Sequence, residues 1–167
     1  YRPGSIFKIA QSLTALQLGA ITKDTRIACN RGIIGCHGNH SMDDLEMAIV
    51  HSCNPYFRGV LQRVVEGNRD PNNRFKDAQL GLALWREQMM KFGFGTNLGT
   101  DIPGVKKGLV PSPEYYDRAY GKEQWNFSTI YSISIGEGEM LVTPIQMCNL
   151  ACIVANKGFY YAPHTVK

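Results

Sequence analysis

The residues best able to do chemistry open the chain: in Tyr1-Arg2-Pro3-Gly4-Ser5-Ile6-Phe7-Lys8 a serine and a lysine stand one helical turn apart. Ile6, Ile9, Ala10, Leu13, Leu16 and Leu18 recur at near-helical spacing, and Gly19 supplies a stop. The spacing predicts a helix opened by Ser5, with Lys8 one turn in on the same face. A hydroxyl is a poor nucleophile until a base takes its proton, and an amine three residues along a helix is within reach of it. Burial and the positive helix N-terminus both disfavour the ammonium, which poises Lys8 as a neutral base. Serine is also a common N-cap and lysine a common first-turn residue, so this pattern alone is more often structural than catalytic.

A second polar group, Ser52-Cys53-Asn54, falls where one predicted helix ends and the next begins, a junction that can project short side chains into a cleft. Taken alone, Asn54 before Pro55 is simply a good helix cap. The elements that must position these groups follow in order. Ala20 to Asn39 reads as loop. Ser41-Met42-Asp43-Asp44 resembles a capping box for a helix with Leu45, Ala48 and Ile49 inside, ending near Ser52. Asn54-Pro55 starts a helix that buries Tyr56, Phe57, Val60, Leu61, Val64 and Val65 and stops at Gly67. A polar linker reaches Lys76, and Asp77 to Phe92 is helical. Glycines and prolines mark turns from Phe94 to Pro113, and a short helix spans Pro113 to Ala119. Phe127 to Ile135 lacks clear periodicity and reads as extended or irregular. Thr143 caps a last helix that starts at Pro144, holds Cys148 and Cys152 on its inner face, and ends at Gly158.

Composition excludes several classes. A chain of 167 residues with 44% hydrophobic residues fits one ordinary globular domain. The net charge of +4 is mild and dispersed, which argues against nucleic-acid binding. No run approaches a membrane span, and the chain starts inside a motif, as an excised piece would. Five cysteines cannot all pair internally.

The motifs occur in a definite order: Pro3-Gly4-Ser5-Ile6-Phe7-Lys8, Ser52-Cys53-Asn54-Pro55-Tyr56-Phe57, Lys91-Phe92-Gly93-Phe94-Gly95, Thr100-Asp101-Ile102-Pro103-Gly104, and Ile135-Gly136-Glu137-Gly138 before Thr143-Pro144-Ile145-Gln146. This order resembles the transpeptidase domain of class B penicillin-binding proteins. The likeness is to the elongation type, penicillin-binding protein 2, because His40 precedes Ser52 at the matching distance. Two departures stand out. The family usually has Gln where this chain has Glu137, and its Lys-Thr-Gly strand motif is absent, since Thr165-Val166-Lys167 does not supply it.

The resemblance implies the helical lobe of the α/β transpeptidase fold shared with serine beta-lactamases. Most sheet strands are missing, so the expected fold is mainly α in a single partial domain over 1–167, with the sheet-facing side of the first helix exposed. It implies Ser5 as nucleophile, Lys8 as its base, Ser52 as a proton relay and Asn54 as a holder of the substrate amide and the lysine. The substrate would be a peptidoglycan stem peptide ending in D-Ala-D-Ala, and beta-lactams would acylate the same oxygen. It further implies glycosyltransferase and elongation-complex partners and a periplasmic location on a membrane-anchored bacterial protein. The family's second oxyanion donor lies on the missing strand, and one such donor is worth about 3 kcal/mol, so the 167 residues alone should be nearly inactive.

Cys29, Cys36, His40 and Cys53 are the residue types of a tetrahedral zinc site, although their spacing matches no standard finger. Some elongation-type relatives hold a metal at the corresponding place. A Cys29–Cys36 disulfide or unconnected side chains are the competing readings. His37 could stand in for His40; His51 and His164 read as ordinary. Two other functions stay open: a carboxypeptidase or beta-lactam sensor, and a non-catalytic zinc-stabilised scaffold.

Overall fold

The structure, a computed structural model, describes residues 1–165; Val166 and Lys167, which complete the Thr165-Val166-Lys167 tripeptide, lie outside the described residues. A 3-10 turn at Gly4–Phe7 runs directly into α1, Lys8–Gln17. The following elements are β1 (Ile27–Ala28), β2 (Met42–Asp43), α2 (Leu45–Val50), α3 (Asn54–Val65) and α4 (Arg74–Lys91). After them come α5 (Pro113–Tyr120), α6 (Phe127–Ile130), a 3-10 turn at Tyr131–Ile135 and α7 (Pro144–Ala155). The expectation of a mainly helical fold holds. Among the described residues no helix is long and apolar enough to cross a membrane.

Helix α3 is the centre of the lobe. It packs against α1 on one side, α4 on another and the Tyr131–Ile135 turn on a third, and it buries Tyr56, Phe57, Val60, Leu61, Val64 and Val65 completely. Each such side chain contributes about 1.5–3 kcal/mol relative to exposure. The approach of α4 to α3 is close because Gly81 has no side chain: a Cβ there would lie 2.2 Å from the Val65 carbonyl oxygen. Phe7 stands edge-on to Trp85 at 6.1 Å, and the Trp85 indole N–H donates to Gln11 Oε1 at 2.7 Å, which joins α4 to α1.

Several boundaries differ from the periodicity. The Gly4–Phe7 turn and α1 together bury Phe7, Ala10, Gln11, Thr14 and Ala15, whereas Ile6, Leu13 and Leu16 of the expected stripe are 65%, 39% and 38% exposed. Both faces of this helix carry apolar residues, so spacing alone could not choose the inner one; the outward stripe is the side expected to face a sheet. Asp44, not Ser41, caps α2 by accepting from the Met47 N–H at 3.0 Å, and Met42-Asp43 is a strand. Helix α4 starts at Arg74 rather than Asp77, because Asn73 accepts from the Lys76 N–H at 2.9 Å. Phe127 to Ile135 is helical rather than extended, started by a capping box between Asn126 and Thr129. Cys148 and Cys152 are exposed, not buried: α7 turns Gln146, Asn149, Leu150 and Ile153 inward, and the cysteine side is uncovered.

The ribbon pairs Ile27 with Asp43 and Ala28 with Met42, and the Cys29 N–H donates to the Ser41 carbonyl at 2.8 Å. This ladder folds the loop holding Cys36 and His40 back over the start of α3. At the other end of the chain Gln146 does similar work. Its amide donates to the carbonyls of Gly93, Thr96 and Lys107 at 3.2, 2.7 and 2.9 Å, tying the turns after α4 to α7.

Candidate active site

The junction between α2 and α3 sets the site. The Cys53 N–H donates to Ala48 O at 2.9 Å and the Ser52 N–H to Ile49 O at 3.1 Å, the paired bonds of a Schellman ending. Ser52 therefore takes the left-handed position with φ 51°, where glycine is usual, at a cost of roughly 1–2 kcal/mol. Cys53 is the N-cap of α3 and makes no side-chain cap bond, so Asn54 is the first helical residue and Pro55 the second, one place later than the sequence suggested. The Asn54 side chain is thereby released from capping: its Nδ2 donates to the Gly35 carbonyl at 2.8 Å and its Oδ1 faces Lys8.

Lys8 reaches this junction from α1 and is 3% exposed. Its Nζ donates to the Ser52 carbonyl at 2.7 Å, to Ser52 Oγ at 2.8 Å and to Asn54 Oδ1 at 2.6 Å, which uses all three protons of an ammonium. The Phe57 ring lies beneath it, 5.5 Å from Nζ. Burial lowers the Lys8 pKa to about 8, while the nearby thiols of Cys36 and Cys53 oppose that shift. Ser5 is one turn away, exposed, and its hydroxyl makes no hydrogen bond among the described residues. Lys8 is thus bonded to the second motif rather than to Ser5.

Backbone contacts carry the Gly136-Glu137-Gly138 segment to the same place. The Gly4 N–H donates to Gly136 O at 2.9 Å, Arg2 Nε donates to Gly138 O at 3.0 Å, and Tyr1 and Val142 exchange backbone bonds of 2.8 Å each. Gly136 has φ 74°, and a Cβ on it would lie 2.3 Å from the Gly4 carbonyl oxygen, so only glycine fits. Glu137 faces Arg2 at 4.0 Å on the open side.

The second cluster adjoins the first. One ligand atom from each of Cys29, Cys36, His40 and Cys53 lies within 4.8 Å of every other, and Cys36 Sγ is 3.7 Å from His40 Nε2. All five cysteines are free thiols, and burial pushes the Cys53 thiol well above its usual range. Sequence reading missed Asp43 and His51. The buried Asp43 carboxylate lies 3.3 Å from His40 Nε2 and accepts from His51 Nδ1 at 3.1 Å, and the two imidazoles stack at 4.4 Å. The only sequence signal for this was three polar residues around a short helix, which is common on any surface. His37 and His164 stand outside both clusters.

These features define a class first: a helical lobe in which an exposed serine hydroxyl opens a helix, and a buried, depressed lysine is shared with a Ser-x-Asn junction. The model of the penicillin binding protein transpeptidase domain family matches residues 1–167. The chain belongs to that family, and within it to the PBP2/MrdA type. It is 29% identical to the peptidoglycan D,D-transpeptidase MrdA of Acinetobacter baumannii, over all of this chain and 24% of the relative. With MrdA of Salmonella typhimurium it shares 28% identity over 98% of this chain and 25% of the relative. The chain therefore spans about a quarter of the length of these relatives. Pseudomonas aeruginosa PBP2, solved in complex with WCK 5153, superposes with a TM-score of 0.77 at 27% identity, over 98% of this chain and 36% of that one. Helicobacter pylori PBP2 shares the fold, with a TM-score of 0.73 at 22% identity over 98% of this chain and 29% of that one.

Proposed function

We propose that this chain carries the nucleophile half of a serine D,D-transpeptidase that cross-links peptidoglycan stem peptides. The observation that carries the reading is the tripod of Lys8 Nζ on Ser52 O, Ser52 Oγ and Asn54 Oδ1 at 2.6–2.8 Å, one turn from a Ser5 hydroxyl that has no hydrogen bond among the described residues. When Lys8 loses a proton, its lone pair becomes available to Ser5. Ser5 Oγ attacks the carbonyl of the penultimate D-alanine and its proton passes to Lys8. Collapse of the tetrahedral intermediate breaks the peptide bond, and the proton returns through Ser52 Oγ to the leaving D-alanine. An amine from a neighbouring strand then attacks the ester, giving the cross-link and restoring Ser5. The Ser5 N–H, in the first turn of a helix and without a helical acceptor, serves as one oxyanion donor.

Beta-lactams would acylate the same oxygen. A fluorescent penicillin applied to the intact protein should label one peptide, that containing Ser5, and Ser5→Ala should abolish the label. Labelling elsewhere, or none in folded protein, overturns the reading. The 167 residues alone lack the Lys-Thr-Gly strand and should label far more slowly. Helicobacter pylori PBP2 has been solved in a complex with MreC, which supports an elongation-complex partner for this chain. A glycosyltransferase partner and an extracytoplasmic place on a membrane-anchored protein belong to the same proposal and rest on the family resemblance alone.

The thiol cluster supports a structural zinc ion as part of this function. A zinc with S ligands at about 2.3 Å and N at about 2.0 Å spaces its donors roughly 3.4–3.8 Å apart, and the 3.7 Å between Cys36 Sγ and His40 Nε2 meets that spacing. Three thiols and one imidazole, whose donor atoms lie within 4.8 Å of one another, would give such an ion four protein ligands. Bound there, zinc would supply charge for the thiolates and a crosslink; Cys53 would transmit it to Ser52 and Asn54 on either side.

A further inference from the structure

On the far side of the Cys29–Cys53 cluster, between the β1–β2 ribbon and α3, lies an open cavity of about 440 Å³. Ile27, Ile33 and Pro55 form an apolar wall, and Arg58, Arg63 and Asn30 face them. We propose that this cavity is a binding site for a carboxylate on a short aliphatic stem, separate from the acylation site.

Among the described residues little of the positive charge there is paired. Arg58 is held from behind, its guanidinium carbon 5.0 Å from the Phe127 ring and 5.6 Å from the Tyr131 ring. Its only hydrogen bond among the described residues is a long one, 3.4 Å to Gln62 Oε1, and its Nε is out of solvent without a partner. A guanidinium has five N–H donors in a rigid fork, so most of this one is unspent. Arg63 makes no hydrogen bond or ion pair among the described residues and folds back over Gly59, where a Cβ would stand 3.8 Å from its Nη1. The carboxylate at the rim, Glu66, is already taken: Arg74 donates to it at 2.9 Å and Gln62 at 2.7 Å. Asn30 spends its side-chain oxygen on the Gly32 N–H at 3.0 Å and keeps its amide donors.

Two guanidiniums and an amide donor over an aliphatic wall match a planar carboxylate with methylenes behind it, and the volume lies within the range of small-ligand sites. Arg58, half-buried and stacked on two rings with its Nε out of solvent, is the stronger half, because its fork is already oriented and little further ordering is required. Pro55 belongs to the wall, so an occupant rests against the turn of α3 that begins with Asn54.

The test is calorimetric titration of the intact protein with N-acetyl-glutamate α-amide, its glutamine analogue and inorganic phosphate. We expect saturable binding of the glutamate compound only. Arg63→Gln, on an exposed side chain with no hydrogen bond or ion pair among the described residues, should weaken it about tenfold or more, and Arg58→Lys, which keeps charge but loses the fork, should do the same. Equal binding of the glutamine analogue, displacement by phosphate at equal concentration, full affinity in Arg63→Gln, or no saturable binding each overturn the proposal. Penicillin labelling of Ser5 should be unaffected by Arg63→Gln, which separates failure here from failure of the transpeptidase reading.

Discussion

At the scale of single residues, Lys8 decides the behaviour of the site. With its pKa lowered to about 8 by burial, roughly a tenth of Lys8 is neutral at pH 7, against a negligible fraction for an ordinary lysine. Acylation of Ser5 by a penicillin should therefore rise about tenfold per pH unit below 8 and level off above it, as followed by stopped-flow labelling of the intact protein. Lys8→Arg, which keeps the charge and cannot lose it, should cut the rate by about 10²–10⁴ across the whole range. The stability sign follows from the same shift. Between about 8 and 10.5 the unfolded chain holds the proton and the folded one does not, so the burial cost of Lys8, full below 8, is relieved as pH rises through that window. The Ser5–Lys8 pair was legible in sequence, but its hydrogen bonds were not: they go to residues 44 and 46 positions away.

At the scale of elements, the site is a meeting of ends. The Schellman ending of α2 places Ser52, the first turn of α3 places Asn54, and the Gly136 segment closes on Gly4. Gly136→Ala would drive a methyl into the Gly4 backbone at 2.3 Å and strain a left-handed φ. We expect about 2–4 kcal/mol of destabilisation in urea unfolding, with penicillin labelling reduced even where the protein stays folded. The ribbon and its loop give a second expectation. Elemental analysis should find one zinc per chain, and chelation should make the thiols of Cys29, Cys36 and Cys53 reactive while lowering Tm; no metal, with two thiols missing from the free count, would point to a Cys29–Cys36 disulfide instead. Capping and helix stops made α3 and α7 readable in advance. The region of α6 was not, because one local capping box, rather than any apolar period, starts it.

At the scale of the whole molecule, the lobe has an unburied side. Ile6, Ile9, Met147, Leu150 and Val154 line a groove between α1 and α7, and Leu13 and Leu16 continue the exposed apolar surface along α1. Such a surface favours association. The isolated 167-residue chain should self-associate at tens of micromolar, as read by sedimentation velocity. The double variant Leu16→Glu, Val154→Glu should restore the monomer with little loss of stability, on the order of 0.5 kcal/mol, since both side chains are solvent-exposed. An unsubstituted 167-residue chain that stays monomeric at these concentrations would overturn this.

The sequence by itself determined the helical class and most helix positions, because capping residues and prolines at helix starts act over a few neighbours, and its Ser-x-x-Lys spacing singled out Ser5 and Lys8 as the candidate pair. It also put Cys29, Cys36, His40 and Cys53 in one group by residue type. Only the tertiary structure decided which face of α1 is buried, that Lys8 binds Ser52 and Asn54 rather than Ser5, that Asp43 joins two imidazoles, and that Cys148 and Cys152 are exposed. Those outcomes depend on what packs against each helix and on hydrogen bonds between residues far apart in the chain. Local periodicity carries no information about either.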